Sequence, residues 1–196
     1  MKKILLVILL LGTTSLFAQR GPVEKARGFF VAFAVGPIFP LGYFANSTDL
    51  GYGFDVEFSY TDDEYLPVFL FCKVGFDQFP GSQQFYEITD YSNYSTNALP
   101  VNLGARYYFP PIVKNVVLIM PMIEASANYM YMEKLHQFKP ATGKSNYLED
   151  VSKLGFSIGT GVSMFMMEIL ANYNYYYSNQ FISLELKVRL PLYINY

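Results

Sequence analysis

Cysteine, histidine and tryptophan are nearly missing from this 196-residue chain: Cys72 and His136 each occur once, and there is no Trp. A single cysteine excludes an intrachain disulfide and a zinc site built on cysteines. A single histidine excludes a histidine pair on a metal. No metal site and no cofactor are therefore expected. Hydrolytic and acyl-transfer chemistry usually sets a His beside a Ser or an Asp. His136 sits between Leu135 and Gln137 in a polar stretch, and the strands described below supply no second base of that kind. The chain is read as a non-enzyme. Charge is also scarce, with 14 Lys and Arg against 16 Asp and Glu. That balance excludes the basic patches of nucleic-acid binders. Long apolar runs are missing after the first twenty residues. The best stretch, residues 116–130, is interrupted by Pro121, Glu124, Ser126 and Asn128, so no helix is expected to span a membrane.

What is present begins with an address. Met1, Lys2 and Lys3 give a basic start, residues 4–11 are apolar, and a small-residue tail ends in Leu16-Phe17-Ala18. This is the layout of a secretory signal peptide, with cleavage expected between Ala18 and Gln19. Residues 1–18 are then the signal peptide and residues 19–196 one domain, the size of a single fold. Loss of Lys2 and Lys3 leaves 12 basic and 16 acidic residues in the mature part.

That domain is written in alternation. From Ile182 to Tyr196 the even positions are Ile, Leu, Leu, Val, Leu, Leu, Ile and Tyr, and the odd ones are mostly polar or charged. Side chains of a strand point to opposite faces with period two, so the segment has one oily and one wet face. Seven further segments read the same way, at about residues 28–38, 51–60, 68–79, 98–109, 116–131, 153–165 and 167–177. Their bulky faces carry residues such as Phe33, Phe54, Val74, Leu103, Ile123, Phe156 and Ile169. Long polar connections (39–50, 80–97, 132–152) alternate with short turns (61–67, 110–115, around 166), apart from a short last connection at 178–180. Such asymmetry describes an outer-membrane barrel with its turns toward the periplasm. The expected fold is all-β: an eight-stranded, antiparallel, up-and-down transmembrane barrel.

The opposite faces carry Gly, Ala, Ser and Asn, together with Asp55, Glu57, Lys73, Arg106, Glu124, Glu168, Glu185, Lys187 and Arg189. Small residues suit a narrow lumen, and charges of mixed sign can pair across it. These nine are the candidate site residues, read chiefly as a salt-bridged plug. Cys72 lies on the apolar face and is read as a small lipid-facing residue. Tyr43, Tyr52, Tyr60, Tyr107, Tyr108, Phe109, Tyr129, Tyr131, Tyr175, Tyr176, Tyr193 and Tyr196 fall near strand ends, where membrane barrels carry aromatic girdles. Phe85, Tyr86, Tyr91 and Tyr94 lie among Ser, Gln and Asn in the second long connection, a composition suited to adhesive contacts.

Several motifs carry a family resemblance. They are Phe33-Ala34-Val35-Gly36-Pro37 with Pro40-Leu41-Gly42, Gly51-Tyr52-Gly53-Phe54, and the run from Leu99 to Phe109. Gly155-Phe156-Ser157-Ile158-Gly159-Thr160-Gly161 and Val188-Arg189-Leu190-Pro191-Leu192 complete the set. Their order resembles the porin-like outer-membrane β-barrel domain family of the Bacteroidetes type, over nearly the whole mature chain. The resemblance implies an eight-stranded barrel in the outer membrane of a Gram-negative bacterium and implies no activity.

The expected role is a structural or surface-interaction barrel, in contact with outer-membrane lipid and with a possible extracellular partner through its long loops. Two other readings stand beside it: a narrow channel or small-solute transporter, and a soluble exported lipocalin-like barrel that binds a ligand.

Overall fold

The computed structural model describes residues 27–62, 66–112 and 119–195. The expected signal peptide, Val117 in the fifth strand and Tyr196 lie outside the described residues. Eight strands follow in chain order: β1 (Arg27–Leu41), β2 (Gly51–Asp62), β3 (Leu66–Pro80) and β4 (Tyr91–Tyr108), then β5 (Ile119–Phe138), β6 (Tyr147–Met164), β7 (Met167–Tyr176) and β8 (Asn179–Asn195). Each pairs antiparallel with the next, and β8 returns to β1, so the sheet closes with no free edge. The chain is an eight-stranded up-and-down β-barrel.

Alternation sets the two faces. Phe33, Phe54, Val74, Leu103, Ile158 and Leu186 are exposed, while Glu57, Lys73, Arg106, Asn128 and Glu168 are buried. The bulky apolar side chains thus point out of the ring and the polar ones into it. Cys72 is half-buried and faces outward, paired with Phe58 and Leu103. The outward apolar face has a clear upper edge. Gln78, Asn97, Glu133 and Asp150 are successive register partners across β3, β4, β5 and β6, and form one polar line around that side.

Above this line the strands run further than alternation indicated. β4, β5 and β6 are 18, 20 and 18 residues long. Residues 91–97, 132–138 and 147–152, expected in loops, are paired strand, with Tyr91 opposite Phe138 and His136 opposite Tyr147. Their polar and aromatic mix masks the period, because neither face there is uniformly apolar. A 3-10 helix (Gly42–Asn46) occupies the first connection, and a one-and-a-half-turn helix, α1 (Gln83–Ile88), the second. These connections define the loop end of the barrel, and Arg27 and Asn195 pair at the opposite, turn end.

The closing strand departs from its expected pattern at one place. Phe30 is opposite Pro191, whereas Phe29 is opposite Tyr193, so β8 carries an extra residue there. A bulge tolerates a proline, which has no N–H for the ladder, and a one-residue slip exchanges the faces beyond it. Tyr193 is therefore outward beside Phe29, and Ile194, expected outward, is paired with buried Gly28.

Candidate functional site in the barrel lumen

Seen from the turn end, the lumen opens on an aromatic collar. Phe30 packs 5.6 Å from Phe69 and Phe69 5.0 Å from Tyr108. The Arg189 guanidinium lies over Phe69 and Tyr108 at 5.3 and 5.7 Å. Tyr108, expected at an outer interface, thus faces inward, and its hydroxyl donates to Glu168 Oε1 at 2.6 Å.

Above the collar is a dense charged layer centred on Arg106, which is fully buried. Arg106 grips Glu57 with both terminal nitrogens, Nη1 to Oε1 and Nη2 to Oε2, each at 2.8 Å. Its Nε donates to Glu124 Oε2 at 2.7 Å, and its Nη1 lies 3.5 Å from Glu168. Lys187 Nζ donates to Glu57 Oε2 at 2.5 Å. Arg189 Nη2 donates to Glu57 Oε1 at 3.0 Å and to Glu168 Oε2 at 3.1 Å. Arg189 Nε lies 3.0 Å from Glu168 Oε1 but makes no hydrogen bond, so that contact is an ion pair off the donor direction. Phe71 closes one side, with its ring 5.0 Å from the Arg106 carbon. Three cations face three carboxylates in this layer, and a bidentate Arg–carboxylate pair is the strongest of the hydrogen-bonded types.

The next layer toward the loop end is different. Lys73 Nζ donates to Glu185 Oε1 at 2.8 Å, and Asn172 Nδ2 donates to the same oxygen at 2.9 Å. Asp55 and Asp77 are both buried here and form no ion pair among the described residues. Asp77 belongs to the inward face of β3 and completes the set of buried charges, although it was not among the nine candidates. All nine candidates are inward and buried, none more than 8% exposed.

The loop end of the lumen is sealed by apolar side chains. Ile38, Phe44, Phe79, Ala98, Met130, Met132, Tyr176 and Phe181 form one buried cluster. Phe44 meets Phe79 edge-on at 4.9 Å, and Phe181 stacks on Tyr176 at 5.9 Å. Sequence reasoning missed this plug. Met130 and Met132 alternate with Tyr129 and Tyr131, so both faces of that run are apolar and period gives no signal. Tyr176, expected at an outer interface, is a plug residue for the same reason: it lies in an uninterrupted run of tyrosines.

Beyond the plug the loops are tied to one another. Ser82 N donates to Ser47 O and Asp49 N to Pro80 O, joining the first and second connections. Lys139 Nζ donates to the carbonyls of Tyr86 and Thr89 at 2.8 Å each, so the third connection caps the C-terminal end of α1. His136 is stacked on Tyr147 at 4.4 Å, and is held by Tyr91 OH at Nδ1 and Glu149 at Nε2, each at 3.1 Å. Burial acts to raise the Glu149 carboxyl, but Lys134 and His136 beside it outweigh burial and hold it below the usual carboxylate range. Asp90 is also held low, by its hydrogen bond and ion pair with Lys144.

Two open hollows lie outside the lumen. One, of about 600 Å³, runs over the outward face where Ala105, Ala125, Thr160 and Ala171 leave room between Tyr107, Ile123, Ile158 and Tyr173. The other, of about 550 Å³, is a cleft at the loop end between Asp49, Gln83, Tyr86, Glu87 and Lys139. Among the described residues no group of three or more His, Cys, Asp or Glu is arranged to chelate a metal.

No family model matches the sequence, and no curated protein matches it. Solved structures match over most of the chain. Neisserial surface protein A is 14% identical, with a TM-score of 0.48, and the match covers 85% of this chain and 99% of that one. Ail, the attachment invasion locus protein of Yersinia pestis, is 14% identical with a TM-score of 0.47, over 86% of this chain and all of Ail; it has also been solved with the heparin analogue sucrose octasulfate. The N-terminal β-barrel domain of Pseudomonas aeruginosa OprF is 12% identical with a TM-score of 0.44, over 84% of this chain and 99% of that domain. These are similarities of barrel shape alone.

Proposed function

We propose that this chain is an outer-membrane β-barrel protein of a Gram-negative bacterium, exported by a signal peptide over residues 1–18, and that it acts as a structural or surface-interaction barrel rather than an enzyme or a pore. The observation that carries this reading is the outward face. It is apolar below the polar line through Gln78, Asn97, Glu133 and Asp150, for about the ten residues that a tilted strand needs to cross a bilayer. A soluble lipocalin-like barrel has the reverse pattern, with its bulk turned inward around a ligand. In this orientation the turn end faces the periplasm, and the loop end, with the extended β4–β6 strands, stands outside.

Closure of the lumen supports a non-conducting role. A collar, two charged layers and an apolar plug are stacked along the axis of a ring whose eight strands leave room for little besides side chains. The tied loops support the interaction role. An ordered outer surface loses little entropy on docking, and Tyr43, Ile88, Tyr147 and Leu148 are exposed on it. The Tyr86 cleft is bordered by charges of both signs, which suits a protein or neutral glycan partner better than a polyanion. His136 is locked between Tyr91 and Glu149, and among the described residues no Ser or Cys nucleophile is hydrogen-bonded to it, which supports a non-enzymatic role.

The test is extraction and migration. The mature protein is expected in the detergent-soluble envelope fraction, with heat-modifiable migration on a gel. Recovery in a periplasmic wash without detergent overturns the membrane reading. In a planar bilayer the folded barrel is expected to give a flat trace, and stepwise conductance favours the narrow channel instead.

A further inference from the structure

Three connections build the cleft at the loop end. Asp49 comes from the first, Gly81, Gln83, Tyr86 and Glu87 from the second, and Lys139 from the third. Gln83, Tyr86 and Glu87 are spaced i, i+3 and i+4 along α1, so they share one face of that helix.

The wall of the cleft is fixed by the chain itself. Pairing of β3 with β4 stops at Pro80 and Ser95. One step further the Tyr86 hydroxyl takes the place of a strand neighbour: it accepts from Tyr94 N at 3.0 Å and donates to Tyr94 O at 2.8 Å. The phenol lies across Gly81, where a Cβ would run into the Tyr86 hydroxyl and the Tyr94 carbonyl. Gly81 is bridged to Thr48, and Asp49 N donates to Pro80 O at 2.9 Å, which ties the first connection to the same strand end. Lys139 Nζ holds the carbonyls of Tyr86 and Thr89 and leaves the third of its N–H donors to the cleft. The side chains of Asp49, Gln83 and Glu87 differ from these. They are exposed, and among the described residues they make no hydrogen bond and no ion pair.

We propose that this cleft binds one neutral pyranose unit of a glycan, held by Asp49, Gln83, Glu87 and Lys139 against Tyr86. This names a partner class for the surface-interaction reading, and rests on that reading in placing the loop end outside the cell. A concave cleft of about 550 Å³ has the size of a small-molecule site, whereas a protein partner needs a broader surface. Carboxylate and amide groups each carry two polar atoms in one plane, which match adjacent hydroxyls of a sugar ring. Tyr86, half-buried in the lining, offers an aromatic surface to the C–H side of that ring. Two carboxylates beside one ammonium disfavour a sulfated or otherwise acidic sugar, and the ammonium disfavours a cationic one.

The experiment places the folded mature barrel, in detergent, on an array of neutral oligosaccharides of glucose, galactose, mannose and N-acetylglucosamine. Heparin fragments and Lys-rich peptides on the same array are the charged comparison. Retention on a subset of the neutral sugars is expected, equal at low and high salt, because screening weakens only attraction between charges. The double variant Asp49→Ala, Gln83→Ala is expected to weaken it about tenfold, as loss of two ordinary hydrogen bonds gives. Neither side chain is bonded elsewhere among the described residues, so the variant is expected to fold and to keep heat-modifiable migration. Retention on none of the neutral sugars, retention unchanged in the double variant, or retention confined to heparin fragments or to Lys-rich peptides overturns the proposal. Heat-modifiable migration of the same sample reads the membrane assignment separately. A barrel that migrates so and binds no neutral sugar fails here alone, and one that binds the sugar without it loses the membrane reading and keeps the site.

Discussion

Two layers of the same lumen, built by the same strands, solve the burial of charge in different ways. Toward the turn end every carboxylate has a cation within hydrogen-bond reach, and Arg106 ties Glu57 and Glu124 into one network with Lys187 and Arg189. Toward the loop end Asp55 and Asp77 form no ion pair among the described residues, and the amide oxygen of Asn102 is buried without a hydrogen-bond partner. The first layer is complete within the chain and acts as a lock. The second pairs Lys73 with Glu185 and leaves Asp55 and Asp77 outside that pair. Burial is comparable in both, so exposure does not distinguish the layers; the pairing does.

The largest expected effect breaks the lock. Arg106→Leu leaves Glu57 and Glu124 without their central partner, and is expected to cost about 3–5 kcal/mol, the usual penalty for removing one member of a buried ion network. Urea unfolding in detergent micelles measures it, and a loss below 1 kcal/mol would show that the network adds little. Next comes the belt outside the lock. Val188 pairs with Phe33 and Met167 on the outward face. Val188→Lys is expected to cost roughly 2–4 kcal/mol if that face meets lipid at mid-depth. Unchanged stability and unchanged membrane assembly would contradict the inside-out assignment.

A smaller effect, opposite in sign, is expected in the loop-side layer. Asp77→Asn replaces a buried acid that forms no ion pair among the described residues, while keeping the shape of the side chain. It is expected to leave stability equal or higher, in contrast to Arg106→Leu. A loss comparable to that of Arg106→Leu would erase the distinction between the layers. The smallest effect lies outside the lumen. The folded state holds Glu149 below the usual carboxylate range, so its pairing with Lys134 and His136 supports the outer hairpin at neutral pH. That support is lost as pH falls through the lowered value of the folded state. Amide exchange across residues 133–149 is expected to quicken there in the wild type and to lose this pH dependence in Glu149→Gln.

Much of the barrel was legible because its period is two and its faces differ. Phe54, Asp55, Val56, Glu57 and Phe58 place themselves on opposite sides without any knowledge of neighbours. Legibility failed where both faces are alike or the ladder slips. Met130 and Tyr129 are both apolar, so the plug could not be told from the belt. Tyr91 to Asn97 is polar on both sides and read as loop, although it is paired with β5. The bulge before Tyr193 depends on how β8 meets β1, a contact between the two ends of the chain.

By itself, then, the sequence determined the strand count, the inward and outward faces, and the identity of the charges within, since each follows from local alternation and from turns between short segments. Only the tertiary structure decided which charges meet. Glu57 and Lys187 are 130 positions apart, and Lys73 and Glu185 112 apart, and they are joined because ring closure brings distant strands to one axial level. The register of the β2–β3 hairpin sets Asp55 and Asp77 across from glycines rather than from lysines. Strand register, which no single segment specifies, therefore separates the fully paired layer from the layer that leaves Asp55 and Asp77 without an ion pair among the described residues.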